Sequence, residues 1–132
     1  MLSYTFRLRP GQDLLDEIER FVTGNKIGAG CVLCSVGSLT HATLRLANRG
    51  NNSDYEGHFE IVSMTGTVST IGSHLHISIS DGGGKTIGGH LESGCKIYTT
   101  AEIVLVVFED VIYKRELLDN DSGYAELVVY PY

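Results

Sequence analysis

His74 and His76 stand one residue apart in the run Ser73-His74-Leu75-His76-Ile77-Ser78-Ile79-Ser80-Asp81. As a strand, this run puts His74, His76, Ser78 and Ser80 on one face and Leu75, Ile77 and Ile79 on the other. Two imidazoles at i and i+2 on a stiff backbone can converge on one metal ion. A third is offered by His90, which follows Gly88-Gly89, where the missing Cβ atoms let a returning chain come close to the first strand. Three histidines with an open fourth position are the donor set of catalytic zinc, and the set also suits other borderline divalent ions. Spacing alone leaves an alternative open, three polar-face histidines that only hydrogen-bond. In Gly57-His58-Phe59-Glu60-Ile61-Val62-Ser63, alternation places His58, Glu60 and Val62 together. Glu60 is thereby a candidate catalytic base or a carboxylate that orients a ligating imidazole, with an ordinary surface glutamate as the alternative. His41 and His58 have no partner at ligand spacing and read as surface or hydrogen-bonded histidines.

Other motifs fall short. Gly82-Gly83-Gly84-Lys85-Thr86 invites a phosphate-loop reading, but the pattern requires glycine where Ile79 stands, and no helix signal follows. A glycine turn between strands is expected. Cys31 and Cys34 form a CxxC inside the apolar run Cys31-Val32-Leu33-Cys34-Ser35-Val36. Strand geometry turns the two sulfurs to opposite faces and predicts buried, inert thiols rather than a zinc knuckle or redox pair. No GxSxG motif is present, and no serine or cysteine nucleophile is paired with a base.

The elements that position these residues are mostly strands. Tyr4 to Arg9 alternates apolar and polar residues until Pro10-Gly11 breaks it. One helix follows: Asp13 caps it, Asp16 and Glu17 favour its first turns, and Leu14, Leu15, Ile18, Phe21 and Val22 form the apolar stripe before Gly24-Asn25 stops it. Beyond it, β-branched segments punctuated by glycine run over 31–39, 42–47, 57–69, 75–80, 101–108, 111–117 and 125–130. Connections too short for crossover helices favour antiparallel pairing. The expected fold is α+β: a largely antiparallel, curved sheet of about seven strands with one main helix. Arg49 to Asp54 and Asp119 to Gly123 read as surface loops, the second within a hairpin.

The 132 residues suit one domain over 1–132 with a single buried core. Ten Lys+Arg against sixteen Asp+Glu give a formal charge of −6, the wrong sign for wrapping a phosphate backbone, so direct DNA binding by the isolated chain is not expected. No apolar run approaches the ~20 residues of a membrane span, and the first residues lack a secretory pattern. With three cysteines, an odd number, the expected compartment is the cytoplasm, with reduced thiols.

The ordered blocks Gly37-Ser38-Leu39, Gly57-x-Phe59-Glu60-Ile61-Val62-Ser63-Met64-Thr65-Gly66, Gly72 to Asp81, Gly84, Gly88-Gly89-His90-Leu91, Gly94-Cys95 and Thr100-Ala101-Glu102-Ile103 resemble the plants and prokaryotes conserved domain, or PPC domain. The resemblance implies an α+β fold with a mostly antiparallel sheet and a homotrimer. For stand-alone prokaryotic members it also implies a metal site, carried here by His74, His76 and His90. The same family contains plant nuclear proteins in which the domain follows an AT-hook, an element this sequence lacks. Two functions remain in view: a zinc-dependent or other divalent-metal small-molecule binder or enzyme, and a regulatory or DNA-associated interaction module whose metal is structural.

Overall fold

The computed structural model describes residues 1–118 and 121–132. Its elements in chain order are β1 (Leu2–Leu8), α1 (Leu14–Gly24), β2 (Gly30–Arg45), β3 (Ser53–Val68), β4 (His74–Ser80), β5 (Thr86–Leu91), β6 (Lys96–Val107), β7 (Val111–Leu117) and β8 (Ala125–Pro131). The α+β class and the antiparallel pairing are as the sequence predicts. The arrangement differs: the strands, which include β5 outside the expected segments, divide into a six-stranded sheet, ordered β1-β6-β2-β3-β4-β5, and a separate β7-β8 pair. Asp119 and Asn120, part of the expected hairpin loop, lie outside the described residues, while the two strands flanking it pair from Val111↔Pro131 to Leu117↔Ala125.

The helix forms where its stripe and cap place it. The Asp13 carboxylate accepts from Asp16 N–H at 3.0 Å, and Leu14, Ile18 and Val22 are buried. Phe21 stacks on Phe6 of β1 with ring centroids 4.1 Å apart. The other carboxylate oxygen of Asp13 accepts from Gly94 N–H at 2.6 Å, so the helix cap also holds the turn between β5 and β6.

β2 and β3 are long, sixteen residues each. The sequence reading divides β2 at Thr40-His41, but the structure keeps one strand there and absorbs the irregularity as a register shift between Leu39 and His41. Another bulge, between Val32 and Cys34, pairs Cys31 with Val106 and Cys34 with Val104. Those partners share a face, so the two cysteines do as well. The expectation of opposite, buried sulfurs is corrected: Cys34 is exposed and Cys31 partly buried. Cys95 is the buried thiol, and desolvation pushes its pKa up to about 11.

The far end of β2 does something the sequence does not announce. There Leu44 pairs with Leu91 and Arg45 with His90, so β5 bonds back to β2 and closes β2-β3-β4-β5 into a ring. Leu44, Leu75, Ile79 and Leu91 point inward and are almost fully buried, together with Leu39, Ile97, Ile103 and Leu105. No helix among the described residues is long and apolar enough to cross a membrane.

The closure requires close backbone approach. A Cβ on Gly89 would lie 2.9 Å from the Arg45 carbonyl oxygen, and one on Gly88 would lie 2.6 Å from that of Ile77. Gly82, in the β4–β5 turn, has open space around it. Gly89→Ala is therefore expected to lower folding stability by about 2 kcal/mol, whereas Gly82→Ala stays within about 0.5 kcal/mol of wild type. Denaturant unfolding of the two variants checks this, and equal stability would remove the closure argument.

Candidate metal centre

The three histidines meet on the outer face of the ring. β4 carries His74 and His76 on the face opposite Leu75 and Ile77, as alternation requires. In the β4–β5 ladder His76 is directly opposite His90, and His90 is in turn opposite Arg45. One ligand nitrogen from each of His74, His76 and His90 lies within 4.8 Å of the others. A tetrahedral zinc site holds its nitrogens ~3.4 Å apart, a difference that modest imidazole rotation closes. The ring centroids stand 5.1, 5.3 and 5.7 Å from one another. Side chains and spacing thus fit a single divalent ion.

Glu60 is not brought to this cluster within one chain. It pairs with Ser80, four positions along β4 from His76, or ~13 Å at strand spacing. Among the described residues, a carboxylate that does reach the histidines is Glu92, whose Oε1 lies 3.9 Å from His90 Nε2 and 3.5 Å from Arg45 Nε. His41 lies 3.7 Å from Glu56 and pairs with the Thr40 hydroxyl, and His58 stacks on Tyr98; both stand apart from the cluster, as expected. The glycine turn is also as expected. Its Gly83 and Lys85 amides donate to Asp81 Oδ1 at 2.9 Å each, so this turn spends them on its own aspartate.

The cluster opens into a cleft of about 700 Å³ lined by Ser73, His74 and His90 of the ring, by Arg45, Asn48 and Arg49 at the end of β2, and by Arg115, Tyr124 and Glu126 of the β7–β8 unit. That unit reaches over the ring through Arg115, which donates to Thr67 Oγ1 at 3.3 Å; Thr67 is the β3 partner of His74. Sequence reasoning missed Arg45, Arg115, Glu92 and Glu126. Their separation along the chain follows no motif, and only the ring closure and the packing of β7–β8 bring them together.

Two of the imidazoles are held toward the neutral form that ligates metal. Desolvation lowers the pKa of His74, helped by neighbouring His76 and Arg115. Desolvation also lowers that of His90, with Arg45 adding to the effect and Glu92 opposing it.

The sequence profile of the Plants and Prokaryotes Conserved (PCC) domain matches residues 1–109. The chain belongs to this family, the PPC domain of the resemblance above. Among curated relatives, the bifunctional protein GlmU of Synechococcus sp. (strain JA-3-3Ab) is 46% identical over 94% of this chain, which spans only 20% of that protein's length. Among solved structures, a hypothetical protein from Salmonella cholerae-suis has 35% identity and a TM-score of 0.96, covering 98% of this chain and 94% of that one. A metal-containing protein from Archaeoglobus fulgidus shares the fold, with a TM-score of 0.80 at 23% identity, covering 97% and 94%.

The histidine environment generates a prediction for the metal-free PPC chain. His74 and His90 should titrate below the ordinary 6.5, seen as imidazole shifts by NMR. The unfolded chain takes up these protons at 6.5 while the folded chain lags, so stability present above 6.5 is lost as pH falls through the depressed values. His74 and His90 titrating at or above 6.5 would contradict the described burial.

Proposed function

We propose that this PPC domain binds one divalent ion, zinc first among the candidates, through His74, His76 and His90, and presents it to a small molecule in the adjoining cleft. The observation that carries the reading is the meeting of three imidazole nitrogens beside an open, polar cavity. A bound ion would supply a Lewis-acid centre there. The chain's own residues have separate parts: β4 and β5 fix the bite, and Glu92 lies within reach to orient His90. The name of the Archaeoglobus fulgidus protein, metal-containing, agrees with this reading for a chain of the same fold.

Assembly as a homotrimer belongs to the same proposal. Leu33 and Val36 on β2 and Val62 on β3 are 65%, 58% and 58% exposed, and Tyr98 of β6, opposite Ser38, is exposed beside them. A neighbouring subunit would cover this apolar surface. The alternative is a regulatory or DNA-associated module with a structural ion, in which a partner supplies any DNA contact; a closed coordination shell would favour it, and the cleft beside the histidines supports the first reading instead. Against direct DNA contact by this chain stand the formal charge of −6 and the placing of Arg45, Arg49 and Arg115 in a cleft.

Element analysis of purified protein should find about one divalent ion per chain, lost in His76→Ala and His90→Ala. Glu92→Gln should weaken metal affinity about tenfold, while Glu60→Gln leaves it unchanged. Stoichiometric metal surviving in both histidine variants would remove the site. Light scattering coupled to size exclusion should give three times the chain mass for wild type and a lower mass for Val36→Asp; a wild-type monomer would reject the trimer.

A further inference from the structure

We propose that the cleft is an oxyanion-binding site, in which Arg45 and Arg115 clamp the carboxylate or phosphoryl group of a small organic anion beside the histidine cluster. The inference rests on the metal reading only for the anion's second contact, the open coordination position.

Charge distribution is the first argument. The chain is acidic overall, at −6, yet every Lys or Arg lining this cleft is an arginine, and three converge: Arg45, Arg49 and Arg115. The acidic groups facing them are Glu126 on the wall and Glu92 beside Arg45. Three cations against two carboxylates leave a local excess of positive charge, and a divalent ion on His74, His76 and His90 would raise it further. A concave wall of this sign concentrates anions from solution.

Positioning is the second argument. Arg45 is fixed at its backbone by pairing with His90, and its Nε is held by Glu92 at 3.5 Å. Arg115 comes from the other sheet and is steadied by Thr67 at 3.3 Å. Two guanidinium groups held from different strands, on either side of the same histidines, suit the forked recognition of a planar or tetrahedral oxyanion. Lysines, with their point charge, would serve general solubility as well; forked arginines anchored by neighbours serve recognition. Ser73 adds a further observation. Ser73 lines the cleft wall, and its buried hydroxyl has no hydrogen-bond partner among the described residues. A buried hydroxyl without a partner is costly, and a turn of the Ser73 side chain into the cleft would let an anion's oxygen satisfy it. The cleft's volume of about 700 Å³ accommodates a metabolite-sized molecule.

Calorimetric titration of metal-loaded protein with inorganic phosphate, and separately with succinate, tests the inference and tells the two oxyanion sources apart. At least one should bind, and Arg115→Gln and Arg45→Gln should each weaken it by about tenfold or more. Lys85→Gln, in the exposed β4–β5 turn, serves as the charge control and should leave it unchanged. Element analysis after titration reports metal content independently. Full metal content with no heat from either anion at millimolar concentration overturns the oxyanion site and leaves the metal site standing. Equal weakening by Arg115→Gln and Lys85→Gln also overturns it, because general charge would then explain the binding. Anion binding by a chain that holds no metal, still lost in the arginine variants, supports the clamp and overturns the histidine reading instead. Circular dichroism of each variant, unchanged from wild type, confirms that a loss reflects the clamp and not unfolding.

Discussion

The pairing of β5 with the end of β2 is the constraint on which the rest of the molecule depends. At Leu44↔Leu91 it buries two leucines inside the ring, and one residue on, at Arg45↔His90, it sets an arginine against a histidine outside. Each buried leucine or isoleucine contributes about 1.5–3 kcal/mol, and a slip of one position would turn all of them outward. The core therefore fixes the register, and the register fixes the outer row Arg45, His90, His76. The histidine geometry is inherited from apolar packing on the opposite side of the same strands.

Much of this was legible in the sequence, and for a local reason. Alternation in His74 to Ser80 is a property of the strand itself, so the outward histidines could be read without knowing the partner strand. Gly88-Gly89 announced the close approach because no other residue type leaves the space. The helix was readable from Asp13 and the stripe of Leu14, Ile18 and Val22. What escaped is non-local. The bulge between Val32 and Cys34 put both cysteines on one face, and a bulge leaves no period to read. Ring closure through β2 and β5 depends on strand curvature summed over two sixteen-residue strands. The separation of β7 and β8 into their own sheet is likewise decided by packing. Glu60 is a candidate in the sequence because alternation sets it on a face with His58 and Val62, yet strand pairing sets it beside Ser80, while Glu92 lies 3.9 Å from His90.

Electrostatics in the cleft and burial in the core work together. Desolvation and the adjacent arginines both oppose imidazolium at His74 and His90, so the positive wall that attracts an anion also keeps two ligand candidates neutral. The helix cap contributes from a distance: Asp13 holds Gly94, two residues beyond Glu92, and so steadies the turn that carries Glu92 toward Arg45 and His90.

The central claim is that His74, His76 and His90 hold one ion, and anomalous diffraction from metal-replete crystals tests it most directly. The account predicts one anomalous peak per chain, about 2.0–2.1 Å from a ring nitrogen of each of the three histidines. A peak elsewhere, or none at this cluster in crystals that contain stoichiometric metal, would contradict it.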